Sequence, residues 1–401
     1  MRPIVPVLSH CLRFVLLAML GLGSCKRIEK GTPAAVTETI ERMCAQYCPD
    51  PRLGVFDIDV LTRGANLKLL GEMNDPNLKV SLVEAVKKAV PDFKVEEEIR
   101  VLPDPRLGEE RFGVVRVSVA NIRERPNHKS ALVNQVLAGS VVAILKAKDG
   151  WYYVQSEDDY LGWVTGGSLQ RCSTSAVDEW LAADLVAFNK LHGVIRAEAS
   201  ETSLPISEMV LGNLIRRLQT IRVGSPRAGQ MWLKVALPDG REGFLPQTDV
   251  AAPTEVFPRT PTSPQRVVTT AQRFLGVPFL WGGNSVHGFN AAGFVQTVLR
   301  LNGLRLLRDA DQQAREGRPI EVSSDFSELH PADLLFFGKT IKQIDHVGIS
   351  LGGARFIHVA DFVKISSLDP NDPNYERELH DGYQFARRYL EEVMPVPGDG
   401  K

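Results

Sequence analysis

Residues 279–293 read FLWGGNSVHGFNAAG, and this stretch decides how the last third of the chain folds. Trp281-Gly282-Gly283 is a tight turn in which backbone can lie against backbone. Over residues 291–301 apolar side chains recur at helical spacing, with Phe294, Val295, Val298 and Leu299 forming the stripe that a helix buries. The start of such a helix carries partial positive charge and free N–H groups. Both lower the pKa of a thiol placed there, and the N–H groups stabilise an oxyanion beside it. The residue at that point is Ala291, whose methyl group offers no nucleophile.

Upstream, residues 267–275 have helical spacing, with Val268, Ala271, Phe274 and Leu275 expected on one side and Gly276-Val277-Pro278 as the stop. Downstream comes Leu307-Arg308-Asp309-Ala310-x-x-Gln313. Pro331 and Asp333 then form a turn into Leu334-Leu335-Phe336-Phe337. Residues 346–351 and 355–360 flank Gly352-Gly353, a hairpin signal. Side chains alternate along a strand, so His346, Gly348 and Ser350 share one face, as do Phe356, His358 and Ala360. A hairpin brings both imidazoles to the same side.

This order of motifs resembles the NlpC family of papain-like bacterial cell-wall endopeptidases. In that family the segment after Trp-Gly-Gly reads Gly-Phe-Asp-Cys-Ser-Gly, and the cysteine is the nucleophile. Here the last four places are Asn290, Ala291, Ala292 and Gly293. The resemblance implies that Ala291 is a vacant nucleophile position. It makes His346 the former general base and His358 the residue that orients it. It also places Trp281, Asn290, Ala292, Gly293, Arg308 and Asp309 on the substrate side, with a structural role for Arg308 and Asp309 weighed equally. The family's Asp and Ser are associated with holding the free amine of the stem peptide. Asn290 keeps hydrogen bonding without the charge, Ala292 loses a hydroxyl, and Phe279 stands where the family often has Tyr. A methyl group cannot form an acyl-enzyme. In a comparable triad, loss of the nucleophile costs on the order of a millionfold in turnover. The expected function is therefore an inactive homologue that binds peptidoglycan stem peptides or a wall-hydrolase partner. Two alternatives stand beside it. One is a γ-D-glutamyl-diamino-acid endopeptidase using water activated by His346, or Ser285 as nucleophile. The other is a purely structural envelope scaffold.

The 401 residues are enough for three or four domains. Within 35–105, helix, strand, strand, helix and strand are read in that order, with Gly64 between the first two strands; this pattern resembles the small BON-type domain of envelope proteins. Residues 111–172 are short strands and turns. Their Asn121-Ile122-Arg123-x-x-Pro126, Gly150-Trp151 and Gly162-Trp163-Val164 resemble a bacterial SH3-like domain, with Trp151 and Trp163 expected to fill its core rather than a ligand groove. A helix is predicted over 177–191, then a second, degenerate SH3-like domain over 192–250, carrying an Asp239-Gly240 turn. Residues 251–264 hold four prolines and read as a stiff linker into the NlpC-type domain, 265–392. The predicted fold class is multidomain α+β: a small α/β (BON-like) domain, two SH3-like β-barrels and a C-terminal papain-like NlpC α+β domain.

A net charge of −1 gives no basic surplus to hold a nucleic-acid backbone, so that partner is set aside. Residues 14–22 are an apolar run too short to span a bilayer, followed by Leu22-Gly23-Ser24-Cys25. This resembles a bacterial lipoprotein signal. It implies removal of residues 1–24 and lipidation of Cys25, with an ordinary secretory signal as the alternative. The implied location is the cell envelope, lipid-anchored, with the outer membrane favoured because Lys26 is not the usual inner-membrane retention residue. Cys44, Cys48 and Cys172 are an odd set without zinc-ligand spacing, and neither metal nor cofactor is expected.

Overall fold

A computed structural model describes residues 28–29, 31–225 and 229–390. The expected signal peptide, 1–24, and its lipidation site Cys25 lie outside the described residues. The chain divides into two compact units, Met1–Pro105 and Arg106–Lys401. Among the described residues no helix is long and apolar enough to cross a membrane.

In the first unit α1 (Ala34–Tyr47), β1 (Phe56–Arg63), β2 (Asn66–Met73), α2 (Pro76–Ala89) and β3 (Lys94–Val101) follow in that order. β1 and β2 are antiparallel, joined by Gly64-Ala65 with Gly64 at φ +57°, whereas β2 and β3 are parallel. A parallel pair needs a crossover, which α2 supplies. Asp75 starts that helix by accepting from the N–H groups of Asn77 and Leu78, with Pro76 in the first turn. Phe56, Ile58 and Val60 alternate inward and meet Val36, Ile40, Leu82 and Val86.

The second unit opens with two antiparallel sheets. The first contains β4 (Phe112–Val115), β5 (Val119–Arg123), β6 (Leu132–Leu137), β7 (Val141–Lys148), β8 (Trp151–Gln155), β9 (Leu161–Thr165) and β10 (Leu169–Cys172), in the spatial order β10-β4-β7-β8-β9-β5-β6. After α3 (Thr174–Ala182) the second contains β11 (Leu185–Phe188), β12 (His192–Arg196), β13 (Pro205–Val210), β14 (Leu214–Val223), β15 (Gln230–Ala236), β16 (Glu242–Pro246) and β17 (Val250–Ala251), in the order β13-β12-β16-β15-β14-β11-β17. Numbered within each sheet, the two orders are the same, and Arg123 and Arg196 donate alike to the carbonyls of Ser130 and Ser203 at 2.7 Å, so the repeat lies in topology and in that contact.

Three expectations need correction here. The helix predicted over 177–191 stops at Ala182, and Leu185–Phe188 is the first strand of the second sheet, which therefore begins before residue 192. Ala187 and Phe188 are fully buried and the strand pairs with β14, so burial and pairing override helical spacing. Trp151 and Trp163 are buried, but away from the aliphatic core of Ile122, Ile144, Val154 and Val164. Alternation along β8 and β9 puts Val154 and Val164 inside and Tyr153 and Trp163, paired across the strands, on the other face beneath the Lys146 ammonium. Residues 251–264 are not a free spacer. α4 (Pro253–Val256) buries Val256, and Thr262 bonds Asn302 through both its N–H and its hydroxyl.

The last domain contains α5 (Pro264–Gln272), β18 (Asn284–Ser285), β19 (Gly288–Phe289), α6 (Ala291–Arg300), α7 (Ala310–Gln313), β20 (Arg318–Ile320), β21 (Leu334–Thr340), β22 (Gln343–Gly352), β23 (Arg355–Val359), β24 (Val363–Ser367), α8 (Arg377–Gly382) and β25 (Tyr383–Arg388). Its antiparallel sheet has the order β20-β25-β21-β22-β23-β24, and α6 packs across β22 and β23. The buried stripe of α5 is Val267, Thr270 and Ala271, followed by Phe274. It starts one residue earlier than expected, which leaves Leu275 exposed. Phe274, Phe289 and Phe294 meet edge to face at 5.2–6.3 Å and lock α5, the turn and α6 together.

Candidate functional site

The turn before α6 is built by close backbone approach. Gly282 has φ +68°, and a Cβ there would lie 2.3 Å from the Leu132 carbonyl oxygen in the first barrel. A Cβ on Gly293 would lie 2.1 Å from the Gly283 oxygen. The Asn290 N–H donates to that same carbonyl at 3.0 Å, while its Oδ1 accepts from the Gly293 N–H, also at 3.0 Å. Asn290 is thus the N-cap of α6, a role that binding to substrate does not require. Ala291 and Ala292 follow as buried residues of the first turn. The Ala292 carbonyl accepts from Gln313 Nε2 at 3.1 Å. Trp281, at the start of the turn, is 53% exposed.

Arg308, for which a substrate-side and a structural role are expected equally, is fully buried. Its Nε donates to Asn134 Oδ1 at 2.9 Å and its Nη2 to the Gly283 carbonyl at 3.3 Å. It clamps the turn to the first barrel and offers no surface to a ligand. Asp309 caps α7 and accepts from the Tyr160 hydroxyl at 3.0 Å. The same seam contains Asn284, whose Nδ2 donates to Asn134 Oδ1 at 2.9 Å, and Gln296, which donates to Asp158 at 2.9 Å. Asn134, Gln135, Asp158 and Tyr160 were not singled out in the sequence. The available signal was Asn134-Gln135, two amides inside the otherwise apolar strand β6. Ser285, an alternative nucleophile, is buried and donates to Gln135 Oε1 at 2.9 Å, which ties its hydroxyl into this seam. A cavity of about 330 Å³ opens along the seam beside Gln135, Asp158, Asn284, Gln296 and Arg300, and neither Ala291 nor the histidines line it.

On β22 and β23 the two histidines meet: His346 Nε2 lies 2.9 Å from His358 Nδ1. His358 Nε2 lies 2.9 Å from Ser366 Oγ on β24. The ring edges rest on Phe337 and Phe356. Burial, reinforced by the Lys364 charge, pushes His346 down to about 4. Burial, then His346 and Lys364, holds His358 well below the usual imidazole range. Both rings are therefore neutral near pH 7. Two proton arrangements satisfy the chain. If His346 donates to His358 and His358 to Ser366, His346 Nδ1 is an acceptor. If Ser366 donates to His358 and His358 to His346, Nδ1 carries a proton and is a donor. The unit can present either polarity at one atom without changing its charge.

These features define a papain-like domain behind a sheet-rich SH3-like region. Residues 276–381 match the NlpC/P60 family, and residues 122–169 match the bacterial dipeptidyl-peptidase Sh3 domain. The chain thus carries an NlpC/P60 domain preceded by a bacterial SH3 domain. It is 28% identical over 273 residues to a γ-D-glutamyl-L-lysine dipeptidyl-peptidase of Bacillus cereus, covering 65% of this chain and 75% of that one. It is 25% identical over 273 residues to dipeptidyl-peptidase 6 of Lysinibacillus sphaericus, covering 66% and 95%. The crystal structure of an NlpC/P60 family protein from Bacillus cereus superposes with a TM-score of 0.57 at 22% identity, over 70% of this chain and all of that one, and shares the fold.

Proposed function

We propose that this chain is a non-catalytic NlpC/P60 protein that binds peptidoglycan stem peptides at the bacterial cell envelope, tethered through a lipid on Cys25. One observation carries the reading: the first residue of α6 is Ala291, while the half-buried His346 and the buried His358 and Ser366 keep their chain on the strands beneath that helix. A methyl group closes the covalent route. The retained polar chain and the exposed Trp281 beside the turn supply hydrogen bonding and ring surface for a peptide. The name of the Bacillus cereus relative, γ-D-glutamyl-L-lysine dipeptidyl-peptidase, supports a peptide of that chemistry. NMR titration with L-Ala-γ-D-Glu-diaminopimelate is the test. Saturable shifts without new peptide signals are expected. Product signals that disappear in His346→Ala would instead establish hydrolysis by activated water.

A second reading, docking of a wall hydrolase, draws on exposed rings next to the same turn. Phe279 and Phe362 are 44% and 47% exposed, and Pro278 pairs with Phe362. Loss of stem-peptide shifts together with capture of a purified hydrolase would favour it.

A further inference from the structure

His192 on β12 and Glu208 on β13 come from consecutive paired strands, and His287, in the turn between β18 and β19, comes from the last domain. Their ligand atoms lie within 4.8 Å of one another. The register explains the first two: Glu208 sits opposite Val194, which shares a strand face with His192, so the side chains are diagonal neighbours. The β18–β19 hairpin of the last domain then carries His287 over them. His287 Nε2 lies 2.9 Å from Glu208 Oε1, and the two imidazole rings stack with centroids 6.0 Å apart and planes 17° from parallel. The other carboxylate oxygen, Oε2, accepts from Ser118 Oγ of the first barrel at 2.8 Å.

We propose that His192, Glu208 and His287 form a binding site for a borderline divalent metal, Zn²⁺ foremost, that ties the second SH3-like domain to the NlpC/P60 domain. Two imidazoles and one carboxylate are a recognised zinc donor set, and three ligands leave a fourth position for water. Tetrahedral zinc holds N and O ligands at about 2.0–2.2 Å, so neighbouring ligand atoms stand about 3.3 Å apart. Side-chain rotation of about 1.5 Å or less brings the present cluster to that spacing. Ser118 supplies the outer hydrogen bond that orients a ligating carboxylate. All three ligands are exposed, so the metal has a path in from solvent. His287 lies three residues before the N-cap Asn290, so a metal here fixes the hairpin that delivers the chain to α6. No spacing in the sequence signals this site, because His287 joins the His192–Glu208 pair only when the domains dock.

The test is calorimetric titration of chelator-stripped full-length protein with ZnCl₂, in a Cys44→Ser, Cys48→Ser background that removes a competing thiol pair. One equivalent binding at micromolar concentration or tighter is expected. His192→Ala and His287→Ala should each weaken it at least about tenfold, and Ser118→Ala about tenfold, the usual loss for an outer-shell partner. Circular dichroism of each variant establishes that it is folded. Absence of one-to-one binding, or binding that survives both histidine substitutions in folded protein, overturns the proposal.

Discussion

Asn134 is the residue on which the seam between the first barrel and the NlpC/P60 domain turns, and Asn134→Leu tests that claim. The side chain is 1% exposed. Its Oδ1 accepts from the Gln135 N–H, Asn284 Nδ2 and Arg308 Nε, each at 2.9 Å, and its Nδ2 donates to Asp158 at 3.1 Å. Leucine keeps the volume and removes every one of these bonds. Arg308 is then left with one protein acceptor among the described residues, the Gly283 carbonyl at 3.3 Å. A hydrogen bond from a charged donor is worth about 1.5–3 kcal/mol, and each neutral one about 1 kcal/mol. With Arg308 and Asp158 as the two charged partners and Gln135 and Asn284 as the two neutral ones, the expected loss is about 5 kcal/mol or more. All five tryptophans lie in the second unit, so urea unfolding followed by tryptophan fluorescence reads that unit alone. A double-mutant cycle with Arg308→Met isolates the pair and should return a coupling of about 1.5–3 kcal/mol. A loss below about 1 kcal/mol with no coupling would show that the Asn134–Arg308 bond does not hold the seam, and would free Arg308 for a ligand-facing role.

The histidine pair makes stability depend on pH in a defined direction. An unfolded imidazole takes up a proton near 6.5 while native His346 resists until about 4, so the unfolded chain binds more protons and stability falls as pH drops through that window. The slope should approach about 1.4 kcal/mol per pH unit per histidine, with no change above pH 7, and His346→Leu should flatten it in pH-dependent urea unfolding. Gly282→Ala puts a side chain at φ +68° and 2.3 Å from the Leu132 oxygen, so it should destabilise the second unit by about 2 kcal/mol or more in the same assay. Ala291→Cys places a thiol at the start of α6, and its alkylation rate, followed by mass spectrometry, should titrate below the free-thiol value of about 8.5; a midpoint at or above that value would mean that the helix terminus does not activate this position. Asn290→Asp keeps the cap on the Gly293 N–H while restoring a negative charge, so it should strengthen binding of a stem peptide with a free amine and leave an N-acetylated peptide unaffected in NMR titration.

What the sequence made legible was local. Alternation about Gly352-Gly353 put His346 and His358 on one side, and they meet at 2.9 Å. The 3.6-residue stripe of Phe294, Val295, Val298 and Leu299 defined α6 to within a residue. What escaped depends on contacts far apart in the chain. Arg308 reads as a charged residue in a short motif, and only its partner Asn134, 174 positions away, makes it a buried clamp. Trp163 is large and apolar and so is expected in the barrel core, whereas strand register assigns that interior to Val164. Residues 185–188 carry an apolar run compatible with helix or strand, and pairing with β14 decides between them. Asn290 has one oxygen and one amide nitrogen, and the sequence does not say which faces outward.

That last point bears on what the site selects. The Gly293 N–H claims the Asn290 oxygen, so the group left to face a ligand is the amide NH₂, a donor. Ala291 and Ala292 offer methyl groups, and the imidazoles of His346 and His358 are neutral near pH 7. Of these five side chains none carries a charge. On the proposed reading, a ligand is therefore held by hydrogen-bond geometry and ring contact rather than by attraction between ions. Such a site has little to gain from the free ammonium of a stem peptide and can take a peptide carbonyl at Asn290 equally well. His346 Nδ1 answers a donor or an acceptor by reversing the relay to Ser366, so its partner sets the tautomer. Binding that is insensitive to salt, and to acetylation of the peptide amine, follows from these two properties together.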